Sequence, residues 1–173
     1  MNTKLRQLTI TGLLVALSIV IPMFMPIKIV LPTFTMTLAA HVPAILAMFV
    51  SPLAVVLVAI GNGIGFMALG PIVVTRAFSH AVFGLFGCWL IRKKVNYIIV
   101  GIITMIIHGV CEFLVLFAFS KTVIATGAGV MASAFIAMYG SWIHHAMDYI
   151  ISAPILIALH KTKFIDYKLK LGK

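Results

Sequence analysis

The chain has 173 residues, of which 63% are hydrophobic and only 9% charged, and its mean hydropathy is +1.22. A soluble domain carries about 25% charged residues, and no single soluble core hides this much apolar surface, so lipid is the solvent. The net charge of +10 leaves nucleic acid and a membrane surface as partners until the basic residues are placed.

Lys4 and Arg6 precede a first apolar segment from about Leu8 to Phe24. No small-x-small cleavage pattern closes it, so it reads as a retained span, not a signal peptide. Met25 to Phe34 is an apolar loop set among Pro22, Pro26 and Pro32, with one charge, Lys28, and is expected to pack back on the protein. Segment two runs from about Thr35 to Val50 and turns at Ser51-Pro52. Segment three, Leu53 to Leu69, carries Gly61-Asn62-Gly63-Ile64-Gly65 and turns at Gly70-Pro71. Segment four, Ile72 to Ile91, stops at Arg92-Lys93-Lys94. Segment five runs from Tyr97 to Phe119, and Ser120 to Gly129 forms a polar loop. Segment six, Val130 to Leu159, is longer than one span requires, and His160 to Lys173 is a basic tail. Six helices of roughly 17 to 25 residues match the bilayer thickness, and no barrel-type alternation is present. The expectation is an all-α integral membrane protein: one domain over residues 1–173, built as a six-transmembrane-helix bundle.

The basic residues orient it. With the N-terminus inside, Lys4, Arg6, Arg92, Lys93, Lys94, Lys161, Lys163, Lys168, Lys170 and Lys173 are cytoplasmic, and only Lys28 and Lys121 are outside. The positive-inside rule therefore puts both termini in the cytoplasm. The net charge is then topology and contact with anionic lipid, and nucleic acid is excluded as a partner.

Arg76 is left at membrane depth, where an ionisable group marks a functional site by default. His80 lies four residues on and shares its helix face. His41 on segment two, Asn62 on segment three, His108 and Glu112 on segment five, and His144, His145 and Asp148 on segment six fall in the same outer half. In one bundle these groups can converge on one cavity. Structural readings stand beside that one. Arg76 and Glu112 can neutralise each other. Asn62 can bridge helices. Asp148 can hydrogen-bond within segment six, and His41, ahead of Pro43, can cap an irregular start.

Other chemistry is poorly supported. His144-His145-x-x-Asp148 and His108-x-x-x-Glu112 lack HExxH spacing, and adjacent histidines diverge on a helix, so no metal site is expected. Ser141 has no nucleophile elbow, and no catalytic residue is assigned. The glycines around Asn62 lack the Lys-Ser/Thr ending of a phosphate loop and suit close helix packing. Cys88 and Cys111 lack finger spacing and read as buried thiols. No nucleotide-binding motif is present, so active transport draws on an ion gradient or on partner subunits.

Leu8-Thr9-Ile10-Thr11-Gly12-Leu13-Leu14-Val15-Ala16-Leu17, the proline-rich first loop, Thr37-Leu38-Ala39-Ala40-His41-Val42-Pro43 and Ser51-Pro52 (for a common Gly-Pro) together resemble the substrate-binding S components of energy-coupling factor (ECF) vitamin transporters. The likeness is greatest to the niacin, pantothenate and hydroxymethylpyrimidine group. Gly12 and Ala16 match the family's AxxxA-type docking motif, with glycine in the first place. The resemblance implies a multi-pass protein of the bacterial cell membrane that binds a water-soluble vitamin at its outer face. It also implies partnership with a transmembrane T component and two cytoplasmic ATPases, which use the ATP; this chain itself binds no cofactor. The expected substrate-binding residues are His41, Asn62, Arg76, His80, His108, Glu112, Trp142, His145 and Asp148. Phe78, Phe113, Tyr139, Trp142 and Tyr149 are candidates to stack on a ring. An Arg76 fork suits a carboxylate, which favours niacin, then pantothenate. A ligand meeting Glu112 instead would be an aminopyrimidine or pyridoxine. The alternative function is a stand-alone proton-coupled carrier using Glu112 or Asp148.

Overall fold

The computed structural model describes residues 3–31, 33–119 and 129–161. Pro32, Lys121, Lys163, Lys168, Lys170, Lys173 and most of the Ser120–Gly129 loop lie outside them. The first helix, α1 (Thr3–Phe24), has Pro22 in its last turn and ends two residues later. Two short strands follow, β1 (Lys28–Val30) and β2 (Thr35–Thr37), paired antiparallel with Ile29 opposite Met36.

A full-length second span is expected here, and the chain departs from it. Leu38 to His41 form a turn with Ala39 in the left-handed region, at φ 66°, and the helix that follows, α2 (Val42–Ala47), has six residues. Pro43 stands in its first turn, where a missing N–H costs nothing. Every residue of α2 is buried, and the helix touches α1 and three helices that follow it. Its apolarity reflects protein on all sides, which composition does not separate from lipid.

The hydroxyl of Ser51 accepts the Ala54 N–H at 3.0 Å and starts α3 (Pro52–Gly65). At 14 residues it is about 21 Å long, short of the roughly 30 Å hydrocarbon layer. A 3₁₀ turn (Met67–Leu69) leads through Gly70, whose φ of 93° suits glycine, into α4 (Pro71–Arg92). Asn96 caps α5 (Tyr97–Ala118) by accepting the Ile98 N–H at 2.8 Å. The last helix, α6 (Val130–Lys161), has 32 residues. Among the described residues, α1, α4, α5 and α6 are long and apolar enough to cross a membrane, and α3 is a shorter apolar helix.

Around α2 the packing runs α1 on α3, α3 on α4, α4 on α5 and α5 on α6. The outward faces are apolar: Leu13 and Leu17 of α1, Val82 and Trp89 of α4, Ile98 and Ile102 of α5, Ile143 and Ile150 of α6 are all exposed. Such a surface suits lipid. Cys88 is buried and Cys111 half-buried; both are free thiols.

The glycines around Asn62 pack helices, as expected. A Cβ on Gly65 would sit 2.7 Å from the Ile19 carbonyl oxygen, and one on Gly61 would strike the Ser18 hydroxyl. Gly65→Val is therefore expected to cost about 1–3 kcal/mol or more, read as a lower unfolding temperature in detergent. Gly12→Ala should not lower that temperature, because nothing lies within 4 Å of a Cβ there and alanine is the better helix former.

Candidate functional site

Polar side chains from the turn before α2 and from α3, α4, α5 and α6 meet beside the β1–β2 hairpin. The anchor is Asp148 on α6. Its Oδ1 accepts the Ala39 N–H at 2.8 Å and its Oδ2 the His41 N–H at 2.9 Å. The neighbouring His144 Nε2 lies 2.8 Å from the Thr37 carbonyl oxygen, so it donates there. A carboxylate and an imidazole on one helix face thus hold the left-handed turn that begins α2. The Asp148 bond expected within segment six reaches instead across the fold, although His144 Nε2 also lies 3.2 Å from Oδ2.

Held this way, His41 projects among the other imidazoles. Its ring centroid is 4.7 Å from that of His80, 4.6 Å from His108 and 4.1 Å from His144. Asn62 bridges: its Nδ2 donates to the Ala40 carbonyl at 3.2 Å and lies 3.0 Å from His80 Nδ1. His145 is fully buried, with Nε2 3.2 Å from the Thr104 hydroxyl.

Arg76 of α4 and Glu112 of α5 form a buried ion pair through the guanidinium Nε and Oε2. Arg76 Nη1 also donates to the Thr35 hydroxyl on β2 at 3.2 Å. Its Nη2 makes no hydrogen bond among the described residues. Glu112 Oε1 lies 3.3 Å from His108 Nε2.

A polar cleft runs between these groups. His41, Arg76, His80, His108 and Glu112 line it, together with Thr35 and His144. Its space, counted out to the open side, is about 290 Å³, but the room in which a water can be centred is only about 20 Å³, enough for roughly one water. A ring-sized molecule enters only if a wall moves.

Asn62, His145 and Asp148 stand behind the lining and orient it. Trp142 does not reach it. That side chain is half-buried and packs on Gly109, between α6 and α5. The aromatic candidates are elsewhere too. Tyr149 exchanges hydroxyl-to-carbonyl bonds of 2.8 Å with Tyr97, Phe78 and Tyr139 are exposed, and Phe113 packs among Phe117 and Phe135. The ring that does line the cleft is Phe66.

Thr35, Phe66 and Ser141, all on the cleft wall, and the backbone of the Thr37–His41 turn, which takes the Asp148 and His144 bonds, are contributions not evident from the sequence. The signal for the strands was the β-branched Ile29-Val30 and the Thr-x-Thr alternation at Thr35 and Thr37 across a proline-marked turn.

Apolar helices around a buried polar cluster define a multi-pass membrane protein. The chain is 35% identical, over 177 aligned positions that cover 95% of it, to the niacin transporter NiaX of Lactococcus lactis subsp. cremoris (strain MG1363), 79% of which is covered. No protein-family model matches the chain, and no solved structure gives a significant match. At that identity and coverage the chain belongs to the S-component family of vitamin transporters, as its motifs indicate. Its relative is a transporter, in keeping with a chain that is no enzyme.

Proposed function

We propose that this chain is the substrate-binding subunit of an ECF-type importer and that its vitamin is niacin, taken as nicotinate. The observation that carries the reading is Arg76. Its Nε is held by Glu112 and its Nη1 by Thr35, while Nη2 keeps its donors for the cleft. A guanidinium fixed on one edge and open on another fits a carboxylate. Phe66 and the imidazoles give a pyridine ring apolar and aromatic walls. Pantothenate shares the carboxylate and stands second; hydroxymethylpyrimidine and pyridoxine, which lack it, stand behind. The wall that moves is the β1–β2 hairpin, whose Thr35 reaches Arg76 by one hydrogen bond.

In this reading both termini are cytoplasmic, in a bacterial cell membrane, and the cleft opens outward. A T component and two ATPases complete the importer, and ATP is used by those subunits. Gly12 and Ala16 support the docking role because both are exposed on α1, away from the Ile10, Leu14 and Ser18 face that packs inward. Small residues on an outward face let a second helix approach closely. The proton-coupled alternative is disfavoured by the carboxylates themselves. Glu112 is paired with Arg76, and Asp148 holds two backbone N–H groups.

Two assays test this function. Nicotinate titrated into the purified chain should bind, and Gly12→Leu should bind it equally well. In vesicles, uptake should require the ATPase partners and should fall at least about tenfold in Gly12→Leu, the loss of roughly 1.4 kcal/mol of docking. Accumulation by the chain alone on a pH gradient would favour the proton-coupled carrier.

A further inference from the structure

His41 precedes α2, His80 is on α4 and His108 is on α5. One ring nitrogen from each lies within 4.8 Å of the others, and all three residues are buried. Hydrogen bonding does not account for this gathering. Nδ1 of His41 and both nitrogens of His108 have no hydrogen-bond partner among the described residues. The nearest carboxylate oxygens, 3.1 Å from His41 Nδ1 and 3.3 Å from His108 Nε2, are outside hydrogen-bond geometry. A buried nitrogen left without a partner is destabilising. Three imidazole donors converging on one point are the donor set of a borderline divalent ion.

We propose that His41, His80 and His108 form a site for a divalent transition-metal ion of the Zn²⁺, Co²⁺ and Ni²⁺ class, with a coordination position open to the cleft. All three residues line that cleft, so a ligand atom entering it meets the ion. A second triad, His41, His144 and Asp148, is equally compact, but its atoms are engaged. His144 Nε2 carries its proton to the Thr37 carbonyl, and the Asp148 oxygens hold the Ala39 and His41 N–H groups. Asn62 completes the chosen triad. Metal loading asks its amide to turn over: it gives up the Nδ2 bond to the Ala40 carbonyl and presents Oδ1, otherwise without a partner among the described residues, to His80 Nδ1–H. That leaves His80 Nε2 with its lone pair for the metal.

Charge gives a second, independent reason, and this step rests on the nicotinate reading. One guanidinium against two buried carboxylates, Glu112 and Asp148, leaves one negative charge uncompensated when the imidazoles are neutral. Such a site repels an anion. A dication reverses the sign, and one carboxylate then brings the site to neutrality. The absence of ligand spacing along any one helix, from which the sequence suggests no metal, does not bear on a triad drawn from three elements.

The test uses the whole chain in nanodiscs, free of any histidine tag and stripped with EDTA. It is titrated with Co²⁺ alone, and the visible ligand-field absorption is read. The wild-type chain should give a saturable band that Zn²⁺ displaces. His41→Ala and His108→Ala should lose the band, and His160→Gln, in the last turn of α6 and outside the cleft, should keep it. Nicotinate added afterwards should shift the band. A wild-type chain with no saturable band overturns the proposal without recourse to any variant, and so does a band that survives His41→Ala and His108→Ala. Nicotinate binding without the wild-type band removes the metal site and leaves the proposed function standing; the band without nicotinate binding does the reverse.

Discussion

Arg76→Ala should weaken nicotinate binding about thirtyfold or more. Truncating one partner of a buried, hydrogen-bonded charge pair costs about 2–5 kcal/mol, and about 1.4 kcal/mol is a factor of ten. The variant alone is ambiguous, because it also strands Glu112 in a buried site. A stranded buried charge destabilises the fold by about 3–5 kcal/mol. Arg76→Ala combined with Glu112→Ala removes both charges, so it should recover much of the unfolding temperature without recovering affinity. Glu112→Gln should retain nicotinate, since it takes away a competitor for the same guanidinium. Calorimetric titration beside thermal unfolding separates the effects. If the double variant binds nicotinate as the wild type does, Arg76 belongs to the scaffold and not to the site.

Asp148→Ala should be the most damaging single change to the fold around the cleft. Two hydrogen bonds to a charged acceptor are lost, each worth about 1.5–3 kcal/mol, and the turn with Ala39 at φ 66° loses its restraint. The expected cost is at least about 3 kcal/mol, with nicotinate affinity falling too as His41 is released. Asp148→Asn keeps one acceptor oxygen and should fall between the two. An Asp148→Ala chain that unfolds at the wild-type temperature would show that the turn is held by its other contacts.

Much of the fold is legible in the sequence because its ends are chemically marked. Gly70-Pro71 and Arg92-Lys93-Lys94 bracket α4 to within a residue, and the start expected for segment five, Tyr97, is the first residue of α5. The second segment is not legible for a physical reason. A six-residue helix buried by protein and a span buried by lipid are equally apolar, and the kink that separates them depends on Asp148, more than a hundred residues away. The site divides in the same way. Helical spacing places His80 one turn from Arg76 and Glu112 one turn from His108, and an Arg76–Glu112 pair is among the alternatives weighed from sequence. That His41 would join His80 and His108, or that Thr35 would reach Arg76, follows only from the hairpin and the turn. Trp142 shows the opposite failure: a large aromatic near polar neighbours in sequence fills the notch at Gly109.

In the proposed function the cleft selects a carboxylate through Arg76. Comparing nicotinate with nicotinamide on the same purified chain tests it most directly, because the two share the ring and differ in the charged group. Calorimetry should give nicotinate an affinity at least about thirtyfold higher, the worth of roughly 2 kcal/mol at the guanidinium. Equal affinities, or preference for the amide, would contradict it.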